Sequence, residues 1–173
     1  TVIPCKNYTH QTKYTLPIPP SPNLPNMKAV YLYPATCYFE ATPVSLGRGT
    51  SLPFQVYGHP NMTGYDYSFT PKSVPGAKNP PQLNKLCHGV NLSNMSDEEI
   101  WKRGVDLSYV IDAYKNLNIG DHFFRPFFEL LVGTDYVRKM IIEGKSAEEI
   151  KSRWKGDVEK FKEQRKPYLL YQE

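Results

Sequence analysis

The stretch "MSDEEIWKRGVDLSYVIDAYKNL", Met95 to Leu117, divides the chain into two halves of different character. Ser96 stands where an N-cap belongs, and Asp97, Glu98 and Glu99 fill a first turn in which the helix dipole favours negative charge. Ile100, Val105, Leu107, Val110, Ile111 and Tyr114 then recur at helical spacing. The pattern predicts one helix over the whole stretch, with Gly104 its weak point. Ahead of it the chain is nearly without negative charge. Glu40 and Asp66 are the only acids before Asp97, and most of the 16 prolines lie there too. The remainder of the 17 acidic residues, with most of the lysines and arginines, come after.

Downstream, "FRPFFELLVG" reads as a short apolar helix started by Pro126 and stopped by Gly133. "TDYVRKMIIEG" predicts another, with Thr134 as N-cap and Gly144 as stop. "SAEEIKSRWKGDVEKFKEQRKP" opens with a capping box, Ser146 and Glu149, and should run to Pro167. The closing "YLLY" is apolar enough for a short strand or a tether against the core. Upstream, "MKAVYLYPATCYFEAT" reads as a helix begun near Pro25 and ended near Pro34 or just after it, with a buried strand as the other reading. "LPFQVYGHP", "YDYSFTPKSV" and "KLCHGVNLS" are three strand candidates. The sum is an α+β fold, a single domain with a small sheet and a helical C-terminal half. A length of 173 residues is enough for one real core.

Composition excludes several classes. A net charge of +4, with no single-sign basic run, does not make a nucleic-acid binder. No apolar run is long enough to form a transmembrane segment. The histidines, His10, His59, His88 and His122, lack metal-ligand spacing, and no metal or cofactor is expected. Cys5, Cys37 and Cys87 are odd in number and far apart, which favours buried thiols over a bridge. There is no G-x-S-x-G and no recognisable nucleophilic cysteine. Triplets at Asn7, Asn61, Asn91 and Asn94 match N-x-S/T, so a secreted glycoprotein remains a minor alternative.

The chemistry concentrates in "YFEATPVSLGRGTSLPFQ", Tyr38 to Gln55. Glu40 leaves an apolar segment, and a carboxylate at such an edge is partly desolvated, the condition that suits a general acid near neutral pH. The other reading is a structural pairing with Arg48. Arg48 lies between Gly47 and Gly49, residues that permit tight turns and close approach to a ligand. A guanidinium there, with Ser45, Thr50 and Ser51 around it, suits bidentate capture of a carboxylate or a polyhydroxylated ligand; a simple glycine-rich hairpin is the alternative.

The phrases "PCKNYTHQTKY", "LYPATCYFEATPVSLGRGTSLPFQVYGHP" and "FRPFFELLVGTDYVRKMIIEGKSAEEIKSRW" resemble the C-terminal part of the NamZ family of exo-β-N-acetylmuramidases, and the likeness runs along essentially the whole chain. The resemblance implies that residues 1–173 are a C-terminal, cleft-forming domain, and that the protein also has a Rossmann-like N-terminal domain absent from this chain. The abrupt, Met-less "TVIPC" start agrees with that expectation. It further implies a bacterial glycosidase that releases N-acetylmuramic acid from the non-reducing ends of peptidoglycan fragments in muropeptide recycling. Such an enzyme would be periplasmic or secreted, or anchored by lipid through a preceding region. Its expected partners are muramic acid glycans and the N-terminal domain. Matched to the family phrase, Glu40 becomes the catalytic candidate. Arg48, Thr42, Ser45, Gly49, Thr50 and Gln55 become substrate-binding candidates, with Asn23 and Tyr33 beside them. The family phrase reads F-E-G-T-N, whereas this chain has Ala41 and Pro43, so a ligand contact from an asparagine side chain at position 43 is missing. The motif offers one carboxylate where most glycosidases use two, which places the second on the absent domain and leaves this chain inactive alone. A non-catalytic peptidoglycan-binding or bracing module is the competing class.

Overall fold

The computed structural model describes residues 1–171. Helix α1 (Met27–Thr36) starts where Pro25 predicts, capped by the Asn26 side chain, which accepts from the Ala29 amide. It runs two residues past Pro34 and then tightens into a 3-10 turn, Cys37–Ala41. Ala29, Leu32, Ala35 and Thr36 form its buried face.

The three strand candidates all form strands: β1 (Val56–His59), β2 (Tyr67–Phe69) and β3 (Cys87–Asn91). They make one antiparallel sheet in the order β1-β3-β2, with Gly58 opposite Gly89. Two glycines face each other there because nothing larger fits. A Cβ on Gly89 would lie 1.9 Å from the Tyr57 carbonyl oxygen and 2.6 Å from the Gly58 Cα.

The helical half departs from expectation at its first element. The predicted single helix over 95–117 is two, α2 (Asp97–Arg103) and α3 (Ser108–Leu117). Gly104 adopts φ 60 and ψ −127, a region open to glycine alone, and turns the chain. The Asp106 carboxylate then accepts from the Ser108 amide and restarts the helix. Arg103 ties the junction, meeting both Glu99 and Asp106.

Helix α4 (Phe128–Val132) ends at Gly133 in the left-handed conformation, as its sequence predicts. Helix α5 (Tyr136–Ile142) is flanked at its start by Asp135 rather than Thr134, and neither side chain caps it; the Thr134 hydroxyl is buried without a partner. Helix α6 (Ala147–Arg165) carries the complete capping box between Ser146 and Glu149 and buries only Ile150. The tail does tether, but to the N-terminal arm instead of the core. The Tyr171 hydroxyl accepts from the Cys5 amide, and its ring meets Tyr8 edge-on, while Tyr168 and Leu170 stay exposed.

One apolar core joins α1, the 3-10 turn, β1 and all five later helices, from Ala29 to Ile150. A smaller cluster of Val56, Phe69 and Cys87 lies on the other face of the sheet. Inserting a methyl between β1 and β3 should therefore break the scaffold. Gly89→Ala is expected to lower the stability measured by urea denaturation by about 3 kcal/mol, the upper end for overpacking, whereas Gly156→Ala, on α6 with open space around it and an ordinary helical backbone, should not lower it.

Candidate functional site

Glu40 sits on the 3-10 turn, between two residues that face inward. Phe39 and Ala41 are fully buried, and Phe39 stacks on Tyr57 with ring centroids 4.8 Å apart. The Glu40 side chain is left partly exposed at the rim. Residues three apart eclipse in a 3-10 turn, which brings Cys37 to the same side as Glu40.

The loop that follows returns Arg48 to the acid. Thr42 closes the turn, its hydroxyl donating to the Phe39 carbonyl at 2.9 Å and accepting from the Val44 amide. Ser45 bonds Gly58 through backbone in both directions, fastening the loop to β1. Thr50 closes a second turn over Gly47, by its amide and its hydroxyl. The Gly49 carbonyl accepts from the Lys72 amide. At the end of this path the Arg48 Nη2 donates to the Glu40 Oε1 in an ion pair.

Glycine is required on both sides of the arginine. Gly47 and Gly49 have φ of 82 and 81, and a Cβ would meet the Leu52 carbonyl oxygen at 2.5 Å or the Lys72 carbonyl oxygen at 2.3 Å. The backbone under Arg48 is thus clamped on either flank.

A residue that sequence reasoning missed lies beneath the pair. Phe54 adopts φ 60, a left-handed conformation that is strained for an aromatic side chain. The Phe54 amide donates to the Leu46 carbonyl, and the Phe54 carbonyl accepts from the Thr36 hydroxyl, so the strain is held from both sides. The result places the buried Phe54 ring 5.3 Å from the Arg48 guanidinium carbon and 5.1 Å from the Tyr33 ring. The one sequence signal for such a backbone is glycine or asparagine, and Phe54 is neither.

Tyr33 and Cys37 complete the cluster. Partial burial pushes the Tyr33 phenol above its ordinary range; the Glu40 carboxylate and Cys37 add to this and Arg48 opposes it. Burial and then Glu40 push the Cys37 thiol up to about 11. The structure therefore gathers Glu40, Arg48 and Tyr33, with Phe54 and Cys37 against them.

The remaining candidates are built into the scaffold. Thr42 and Ser45 are buried, and they, Gly49 and Thr50 hold the turns just described. Gln55 is 2% exposed, with its side-chain amide nitrogen lacking a partner. Asn23 donates to the Gly76 carbonyl at 2.9 Å and pins a separate loop. Pro43 contributes its carbonyl to the Gln82 side chain. Among the described residues no cluster of three His, Cys, Asp or Glu side chains could hold a metal, and no helix is long and apolar enough to cross a membrane.

The family model described as "Exo-beta-N-acetylmuramidase NamZ, C-terminal" matches residues 31–171. The peptidoglycan β-N-acetylmuramidase NamZ of Bacillus subtilis (strain 168) is 34% identical over 167 residues, which is 88% of this chain and 40% of that protein. The crystal structure of a DUF1343 family protein from Bacteroides fragilis superposes with a TM-score of 0.98 at 83% identity, covering 100% of this chain and 49% of its own. A second DUF1343 structure from the same organism, 20% identical, shares the fold with a TM-score of 0.62 over 89% of this chain. The chain thus spans less than half the length of each of these relatives.

The three thiols, all free, should separate by reactivity. Cys5 is exposed, whereas Cys37 and Cys87 are both raised to about 11, in each case chiefly by burial. At pH 8 a maleimide should label Cys5 at least tenfold faster than the other two, as read by mass spectrometry of the intact chain. Both raised thiols are neutral in the fold, so the stability that they contribute is complete below about pH 9 and is lost as pH rises through 11. The urea midpoint should accordingly fall across that window.

Proposed function

Since this chain belongs to the NamZ C-terminal family, matched over residues 31–171, we propose that it forms one wall of the active site of a peptidoglycan-degrading exo-β-N-acetylmuramidase. In this reading the complete protein releases N-acetylmuramic acid from the non-reducing ends of glycan fragments, outside the cytoplasm, where peptidoglycan and its fragments are found. Glu40 is the catalytic carboxyl of this wall. Arg48 and Tyr33 meet the sugar, and the turn residues around them hold the geometry.

One observation carries the reading. A glutamate and an arginine meet at a partly exposed rim, with side chains 23% and 35% exposed, on a loop that keeps a strained Phe54 beneath them. Backbone strain of this kind collects at functional sites, where the surrounding structure over-determines it. The guanidinium offers only donors, so the Glu40 oxygen facing it is an acceptor in the resting pair. A glycosidase of the common type needs a second carboxyl across the scissile bond. We assign that group to a part of the protein beyond this chain, on the surface that closes the site.

The second reading, a bracing module, is favoured by the same ion pair, since Arg48 is already engaged by Glu40. Glu40→Gln in the complete protein separates the two. Loss of a general acid or base should reduce turnover of a chromogenic muramoside by about 10²- to 10⁴-fold with the melting temperature unchanged. Near-normal turnover with a lowered melting temperature would establish the brace. Residues 1–173 alone should release no chromophore above background.

A further inference from the structure

We propose that Arg48 is an exchangeable latch on Glu40, released when the lactyl carboxylate of a muramic acid residue takes the guanidinium in its place. The proposal rests on the reading of Glu40 as a catalytic carboxyl. It adds a device by which the substrate's own charge switches that carboxyl on.

The geometry has three parts. First, the resting contact is single-pronged. Arg48 reaches the Glu40 Oε1 through Nη2, and its Nε is buried with no hydrogen-bond partner, so the fork is only partly used. A carboxylate arriving from solvent with two free oxygens can take a guanidinium bidentately, a stronger and more directional contact than one N–H to one oxygen.

Second, the pair is reachable. Both side chains are partly exposed, so a ligand need not open the core to compete for Arg48. Third, the exchange needs no backbone motion. Gly47 and Gly49 fix the chain on either side of Arg48, and the Phe54 ring lies against the guanidinium as a platform. Only the outer torsions of the arginine have to turn, a motion of the picosecond-to-nanosecond class for exposed side chains.

The consequence is a specificity step. While Arg48 holds Glu40, the oxygen that would face the sugar is occupied. The groups left around it, the Tyr33 hydroxyl and the Cys37 thiol, are neutral, so neither supplies a positive charge in place of the guanidinium when it departs. A glucosaminide fits the same sugar pocket but has no carboxylate and leaves the latch closed. Discrimination then appears in kcat and not only in KM, because the missing group fails to free the catalytic oxygen.

Steady-state kinetics on the complete protein test this with three substrates: a chromogenic muramoside, its lactyl methyl ester and the matching glucosaminide. The unaltered protein should turn over the muramoside with a kcat at least 100-fold above the other two. Arg48→Ala removes the latch, so glucosaminide turnover should rise at least tenfold while muramoside KM also rises, and the two kcat values should converge. Glucosaminide turnover that is unchanged or lower in Arg48→Ala overturns the latch. If in addition Glu40→Gln retains muramoside turnover, the catalytic reading itself falls; if Glu40→Gln is inactive, only the latch does. Should Arg48→Ala fail to fold, the unaltered protein decides. Saturating N-acetylmuramic acid should shift the Arg48 guanidinium NMR signal and its methyl ester should not, and an Arg48 signal unmoved by the acid would overturn the exchange.

Discussion

The stack of Phe39 on Tyr57 fastens the 3-10 turn to the sheet and, through the Tyr57 hydroxyl, to the helical half. Phe39 belongs to the 3-10 turn and Tyr57 to β1, and the Tyr57 hydroxyl donates to the Asp112 carboxylate on α3. Tyr65 donates to the same oxygen. Burial first, and then Asp112, push the Tyr57 phenol far above its ordinary range, which keeps it a neutral donor at any working pH. On the other side of the turn, the Ala41 carbonyl accepts from the Arg125 amide, and Tyr38 packs against Phe128. A five-residue turn is thus gripped by the sheet and by the helical half together. Glu40 is the charged member of it, partly exposed at the rim, so the position of this one acid depends on the union of both halves.

That dependence explains how much of the fold the sequence discloses. Caps and stops are local chemistry, and they are legible: Ser96, the Ser146–Glu149 box and Gly133 all act where their residue types say. The break at Gly104 was less legible because Ile100 and Leu107 keep helical spacing across it, so periodicity runs on while the backbone turns. Thr134 fails as a cap because the chain enters α5 through Asp135 in a helical conformation, which points no side chain back over the first turn. The tail's attachment to Cys5 and Tyr8 joins segments 166 residues apart, and no local pattern encodes such a contact.

The site divides in the same way. An isolated acid and a lone arginine eight residues apart pose a pairing question in the sequence, and the structure answers that they pair. Thr42, Ser45 and Thr50 look ligand-facing in sequence because hydroxyls suit sugars. Their hydroxyls are instead spent on turns, since a loop with little regular structure must satisfy its backbone polar groups from side chains. Phe54 was invisible because its contribution is a conformation, and sequence signals a positive φ only through residues that tolerate it cheaply.

Magnitudes then weigh the two roles of the Glu40–Arg48 pair. An ion pair this exposed contributes about 0 to 1 kcal/mol to stability. Holding Phe54 at positive φ costs about 1 to 3 kcal/mol. The unpartnered Arg48 Nε, buried in the same arrangement, adds the penalty of a polar group taken from water with no partner. A brace that spends more on its mounting than its contact returns is a poor brace. In the proposed reading the pair is presented to a ligand, with the ring of Phe54 set under the guanidinium and the glycines fixing the point from which Arg48 reaches.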